Sequence, residues 1–183
     1  MDLREFFHAL DSEPACVEAT VSPYLEMARV IHAWETCAPG VPLRFVRVAG
    51  YPDWQVVAGV VASRENLGRA LGVPADRLLF TLADALANPL APPRVDSAPC
   101  QAVIEPDVDL ERIPILTHLP ADAGAYVTSG VAVVRDPELG RNVSFHRLLR
   151  LDSQRFAARI VEGRGTHTAM HKAEGDLEVA IAI

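Results

Sequence analysis

The chain has 183 residues, half of them hydrophobic, which is enough for one domain or two small ones with a real core. Lysine and arginine number 17 against 24 acidic residues, a formal charge of −7 with no basic run, and this excludes nucleic acid as an expected partner. Three widely spaced cysteines, Cys16, Cys37 and Cys100, form no CxxC pair, so neither a disulfide framework nor a cysteine zinc site is expected, only reduced, buried thiols.

The first element is a short amphipathic helix over residues 2–10, with Leu3, Phe6, Phe7 and Leu10 on one face and Asp2 and Glu5 at capping-box spacing. Its acids stand where a signal peptide needs basic residues, and no apolar run approaches about 20 residues, so a cytoplasmic protein without membrane attachment is expected. A strand over Cys16–Val21 leads to Ser22-Pro23, read as an N-cap and first helical position. The helix behind it places Tyr24, Met27, Ala28, Ile31 and Trp34 together. Leu43–Val48 and Gln55–Val61 read as strands, Ser63 as the cap of a helix that Gly72 and Pro74 stop, and Ala75–Ala87 as a further helix.

Four prolines between Asn88 and Pro99 mark a boundary, giving an N-terminal α/β lobe over 1–98 and a second domain over 99–183, α+β overall. In that domain Ala102–Glu105, Tyr126–Val134, Asn142–Leu151 and Phe156–Val161 read as strands, with a turn at Asp136–Gly140 and a short helix near Thr168–Glu174. The apolar end, Leu177–Ile183, reads as a strand cut short, so the 183 residues are expected to be a fragment.

Two stretches carry chemistry-bearing residues. In a regular strand Asn142, Ser144, His146 and Leu148 share one face, a set suited to phosphate oxygens or a hard cation, and equally to an ordinary wet sheet face. Val143, Phe145, Arg147 and Leu149 share the other, expected to be core, so Arg147 requires a carboxylate, an anionic ligand or solvent at the sheet edge. The second stretch, Gly163 to His171, is a glycine-bracketed loop opening a helix, an arrangement that binds phosphate. It also sets His167 and His171 four apart, as paired metal ligands are, or as an ordinary solvated pair would be. A hydrolase built on those histidines lacks an adjacent general base.

Taken in order, the segments DLREFFHAL, PLRFVRVAGY, VVASRENLGRALGV, APCQAVIEPDVDLERIPILTH, AYVTSGVAVVRDPELGRNVSFHRLLRL and LEVAIAI resemble the UbiD family of decarboxylases over essentially the whole chain. The resemblance implies a reversible, non-oxidative decarboxylase of aromatic or α,β-unsaturated carboxylic acids. Its cofactor would be prenylated FMN supplied by a flavin prenyltransferase, with Mn²⁺ or a similar divalent ion and K⁺. Residues 99–183 would then begin a split β-barrel that binds the flavin.

By position, Asn142 corresponds to a metal ligand holding the cofactor phosphate, and Ser144, Phe145, His146 and Arg147 to the segment along the flavin, Arg147 being the catalytic arginine. Thr128 and Ser129 would flank the flavin, and His167 would be the second metal ligand, with His171 also possible. The family's acid/base glutamates and third metal ligand lie beyond Ile183, so the chain alone is expected to be inactive and the full-length protein a homo-oligomer. The alternative is a non-catalytic flavin- or nucleotide-binding or assembly module. Asn142 and Arg147 are five apart, so one cofactor can reach both if the strand is bulged or strongly twisted between Ser144 and Arg147, or if the flavin is long enough to wrap the strand.

Overall fold

The computed structural model describes residues 2–10 and 14–183. It forms two compact units, one of Met1–Ser22 with Arg29–Asp107, the other of Pro23–Ala28 with Val108–Ile183. Among the described residues no helix is long and apolar enough to cross a membrane.

The first unit opens with helix α1 (Leu3–His8). Both halves of its capping box are made, Asp2 accepting from the Glu5 N–H and Glu5 from the Asp2 N–H, each at 2.8 Å. Strands β1 (Ala15–Val17), β2 (Leu43–Phe45) and β3 (Val56–Ala58) make one sheet, β1 parallel and β3 antiparallel to β2. Leu43 and Phe45 are its buried residues.

Helix α2 (Glu26–Cys37) begins later than Ser22-Pro23 suggests. The backbone of Pro23 and Leu25 is instead paired with Thr117, and Leu25 takes φ 63°, which keeps the chain out of the helical region until Glu26. Helix α3 (Arg64–Leu71) starts and stops where expected: Ser63 accepts from the Asn66 N–H, and Gly72 closes it in the left-handed region. Helix α4 (Leu78–Ala87) follows. The cysteines are free but all three are exposed, which corrects the expectation of buried thiols; none sits on an inward face of its element.

The second unit holds two three-stranded sheets. One pairs β4 (Tyr126–Val127), β7 (Leu148–Arg150) and β8 (Phe156–Ala158); the other pairs β6 (Gly140–Phe145), β5 (Val131–Asp136) and β9 (Val179–Ala182), all neighbours antiparallel. Helix α5 (Gly165–Lys172) packs on β5 and β6.

Each of the two long expected strands, Tyr126–Val134 and Asn142–Leu151, is therefore broken in two, and both breaks fall at the same level of one long hairpin. Val127 pairs with Leu148 and Val131 with Phe145, so Thr128, Ser129 and Gly130 face only His146 and Arg147 across the gap. One surplus residue is the mark of a bulge, and it lets the hairpin pass from one sheet into the other. The strand is thus interrupted between Phe145 and Leu148, but the surplus residue lies among Thr128, Ser129 and Gly130, and exposure alternates without a break from Asn142 to Leu148, so Arg147 keeps the face opposite Asn142. Space is tight at Gly130: a Cβ would lie 3.2 Å from both Leu148 Cδ1 and Val127 Cγ1. Those two side chains pack with Ile115 as the core beneath β4 and β7, with Ile113, Ala125 and Phe156 around them.

Residues Ala102–Glu105 form no strand. Pro99–Gln101 makes a single 3₁₀ turn, and irregular chain continues to Asp109, Val103 and Ile104 being exposed. Short apolar runs carry no periodicity of their own, and this one has no neighbouring strand to complete a ladder.

The β5–β6 turn is held by Asp136, which is buried and accepts from the Glu138 and Leu139 N–H groups at 2.9 Å. Lys172 at the end of α5 reaches Glu138 at 2.6 Å and Asp136 at 3.4 Å. The Leu139 and then the Glu138 N–H, with Lys172 behind them, hold the Asp136 carboxyl below the ordinary carboxylate range. A carboxyl depressed in the folded state stabilises the fold above its unfolded pKa and loses that stabilisation as pH falls through the folded value. The melting temperature should therefore drop below about pH 4, and Asp136→Asn should lower it at neutral pH while flattening that acid limb in a thermal-melt series.

Candidate functional site

The polar ladder expected on Asn142, Ser144 and His146 exists, and the start of α5 covers it. These three side chains are half-buried while Arg141, Val143, Phe145 and Arg147 are exposed. The covered face is polar only along β6. Its β5 partners, Val134 opposite Asn142 and Ala132 opposite Ser144, are buried apolar residues, and Ala169 of α5 is fully buried. Apolar burial thus seats the helix, and the hydroxyls and amide gather where its first turn meets β6.

The expectation that Val143, Phe145, Arg147 and Leu149 form a core face is corrected: Val143 is 58% and Phe145 78% exposed. Alternation on β6 was read properly, but its apolar residues, Val143 and Phe145, lie on the face that α5 leaves open, because Val134, Ala132 and Ala169 supply the apolar burial on the other.

Thr166 is the centre of the cluster. Its buried hydroxyl lies 2.9 Å from Ser144 Oγ, 3.1 Å from His146 Nε2 and 3.4 Å from Asn142 Nδ2, and Ser144 Oγ lies 3.0 Å from His146 Nε2. The sequence reading gives Thr166 no role, although it sits inside the glycine-bracketed loop. The signal that points to it is the preceding Gly165. A Cβ on Gly165 would overlap the Asn142 carboxamide, falling 2.7 Å from Cγ and 3.0 Å from Nδ2, with Oδ1 nearer still. Glycine is needed here for close approach of a side chain to the helix start.

Next along α5, His167 accepts from the Gly163 N–H through Nδ1 at 3.4 Å, and its Nε2 stands 3.1 Å from that of His171, with ring centroids 4.3 Å apart. Two nitrogens on adjacent corners of a metal shell with bonds of about 2.1 Å would be about 3.0 Å apart. The two candidate ligands therefore stand side by side, and His167 immediately follows the residues that touch Asn142. Among the described residues no three His, Cys, Asp or Glu side chains converge on a metal position.

Arg147 occupies the hairpin break. Its guanidinium carbon lies 4.9 Å from the Tyr126 ring centroid, a cation–π contact on an exposed side chain. Of the outcomes open to it, solvent at a strand end is the one adopted. Thr128 and Ser129 are exposed in the facing bend, joined to this strand by the Gly130 carbonyl, which accepts from the His146 N–H at 3.2 Å. Removing the Tyr126 ring should cost only about 0.5–1 kcal/mol. Tyr126→Leu is accordingly expected to leave the melting temperature nearly unchanged while the Arg147 Nε order parameter falls in ¹⁵N relaxation, and Tyr126→Phe should restore it.

Residues 15–86 match the model of the 3-octaprenyl-4-hydroxybenzoate carboxy-lyase N-terminal domain, and residues 93–183 match that of the Rift-related domain of the same enzyme, UbiD. The chain belongs to the UbiD family. It is 34% identical over 189 residues to the anhydromevalonate phosphate decarboxylase of Methanosarcina mazei, and 32% identical over 185 residues to that of Methanothermobacter thermautotrophicus. All or 99% of this chain aligns, but it spans 42% of each relative's length. Among solved structures it is similar to the UbiD-class enzyme HmfF of Pelotomaculum thermopropionicum in complex with prFMN, at 36% identity and a TM-score of 0.88, over 99% of this chain and 44% of that one. The likeness to such structures agrees with the α+β class.

Proposed function

We propose that this UbiD-family chain forms the phosphate-and-metal end of a prenylated-FMN site in a reversible, non-oxidative decarboxylase of aromatic or α,β-unsaturated carboxylic acids. In this reading the second unit is the first part of a split β-barrel, the complete enzyme is a homo-oligomer, and a flavin prenyltransferase supplies its cofactor. The observation that carries the reading is the convergence of Asn142, Ser144, His146 and Thr166 at the start of α5, one residue ahead of Arg147 on one side and one residue ahead of His167 on the other.

The donor set suits the groups proposed. With its nitrogen turned to Thr166, Asn142 keeps a carboxamide oxygen for a hard divalent cation, and His167 or His171 adds an imidazole. Such a cation takes about six ligands, so phosphate oxygens and water fill the positions that these residues leave. Hydroxyls and the first N–H groups of α5 favour the same anion. When bound, prenylated FMN supplies an electron sink for breaking the bond to the carboxyl carbon. Arg147, at the strand break, holds positive charge toward a substrate carboxylate, with the Tyr126 ring limiting where its guanidinium swings.

The 183-residue chain titrated with FMN and Mn²⁺ tests this. Flavin fluorescence quenching should depend on Mn²⁺ and weaken at least tenfold in Asn142→Ala, with no CO₂ released from any acid by the chain alone. Binding indifferent to both Mn²⁺ and Asn142 would place the flavin elsewhere and favour a general nucleotide-binding module.

A further inference from the structure

We infer that Thr166 is a positioning residue, setting the orientation of the Asn142 carboxamide so that its oxygen, not its nitrogen, faces the divalent cation. The inference rests on the metal reading above and goes beyond it to a residue that the reading does not use as a metal ligand.

Hydroxyl stoichiometry supplies the argument. One threonine hydroxyl has a single proton to donate and two lone pairs to accept with. Thr166 Oγ1 has three polar neighbours, Asn142 Nδ2, Ser144 Oγ and His146 Nε2. In the arrangement proposed, His146 accepts the Thr166 proton at Nε2, which leaves the Thr166 lone pairs for the Ser144 hydroxyl and the Asn142 NH₂ group. A turned carboxamide would offer an acceptor where Thr166 has no second proton. Thr166 is 4% exposed, so no water replaces the lost partner cheaply.

Gly165 closes the other side. The carboxamide lies where a side chain on that residue would be, so the amide is held between a residue with no Cβ and a buried hydroxyl. An asparagine oxygen kept free by tying its nitrogen down is what an oxygen-seeking cation needs, and removing such an orienting partner characteristically costs 10–100-fold in metal affinity.

The test is a Mn²⁺ titration of the ¹⁵N-labelled chain in the presence of FMN, reading paramagnetic broadening of the backbone amides at positions 142 and 165–167, with the Asn142 side-chain amide shift, where that side chain is present, and the melting temperature beside it. Thr166→Val keeps the shape and leaves Ser144 and His146 to pair with each other; it should shift the Asn142 NH₂ resonances and weaken Mn²⁺ binding about tenfold or more. Thr166→Ser, which keeps the hydroxyl, should stay within about twofold of the parent on the same scale. Thr166→Ala replaces the valine variant if that one does not fold. Loss of Mn²⁺ binding in Asn142→Ala, together with parent-like binding in Thr166→Val or Thr166→Ala, overturns the positioning role and leaves the metal reading intact. Parent-like binding in Asn142→Ala, or no Mn²⁺ binding by the parent, overturns both.

Discussion

Arg147→Ala is expected to lower CO₂ release by the holoenzyme carrying this chain by about 10²–10³-fold, the loss typical when one preorganised group that meets developing charge is removed. Prenylated flavin should still be bound, because Arg147 lies beyond the cluster proposed to hold the phosphate. The side chain is exposed and makes a cation–π contact rather than an ion pair, so the fold should not suffer. Arg147→Lys keeps the charge but loses the planar fork, and partial activity is expected. Steady-state rates with a flavin absorbance spectrum of each variant separate the outcomes. A variant that is inactive because it has lost its flavin would move Arg147 from chemistry to binding.

Gly165→Ala has the second largest expected effect, and its sign runs against helix propensity. In a helix, alanine is normally favoured over glycine by about 0.5–1 kcal/mol. Here the new methyl group meets the Asn142 carboxamide, whose other side is occupied by Thr166. Overpacking of this kind costs about 1–3 kcal/mol. The net expectation is a melting temperature that falls rather than rises, together with at least tenfold weaker Mn²⁺-dependent flavin binding as Asn142 is pushed from its place. The two effects should separate in Gly165→Ala combined with Asn142→Ala, where the clash is gone: stability should recover and metal binding should not. An unchanged melting temperature in the single variant would mean that the helix start gives way easily.

The residues of the site were legible in the sequence further than their surroundings were. Asn142, Ser144 and His146 follow period-two spacing, and a strand places them together whatever the rest of the fold does. The odd separation of Asn142 and Arg147 pointed to this stretch as irregular, and the hairpin does break there with three residues facing two, yet Asn142 stays covered and Arg147 exposed on opposite faces. Local caps were legible for the same reason: Asp2 with Glu5, Ser63 and Gly72 act within a few residues of themselves.

What failed was decided by partners distant in sequence. Phe145 reads as core, yet the face it occupies is open because α5 lies on the other one. Thr166 has an ordinary identity until the fold sets it against three residues twenty or more positions earlier. Helix α2 starts at Glu26 because Thr117, nearly a hundred residues on, pairs with Pro23 and Leu25. Tyr126 gains meaning only once the strand break brings the Arg147 guanidinium over its ring.

The most direct test of the whole account is a crystal structure of this chain, or of the protein that carries it, grown with FMN and Mn²⁺ and phased to show the manganese anomalous signal. The account predicts a manganese peak within about 2.2 Å of Asn142 Oδ1 and of one imidazole, His167 or His171, with the flavin phosphate on the same ion. A flavin bound away from Asn142, or a manganese ion held without it, would contradict the account.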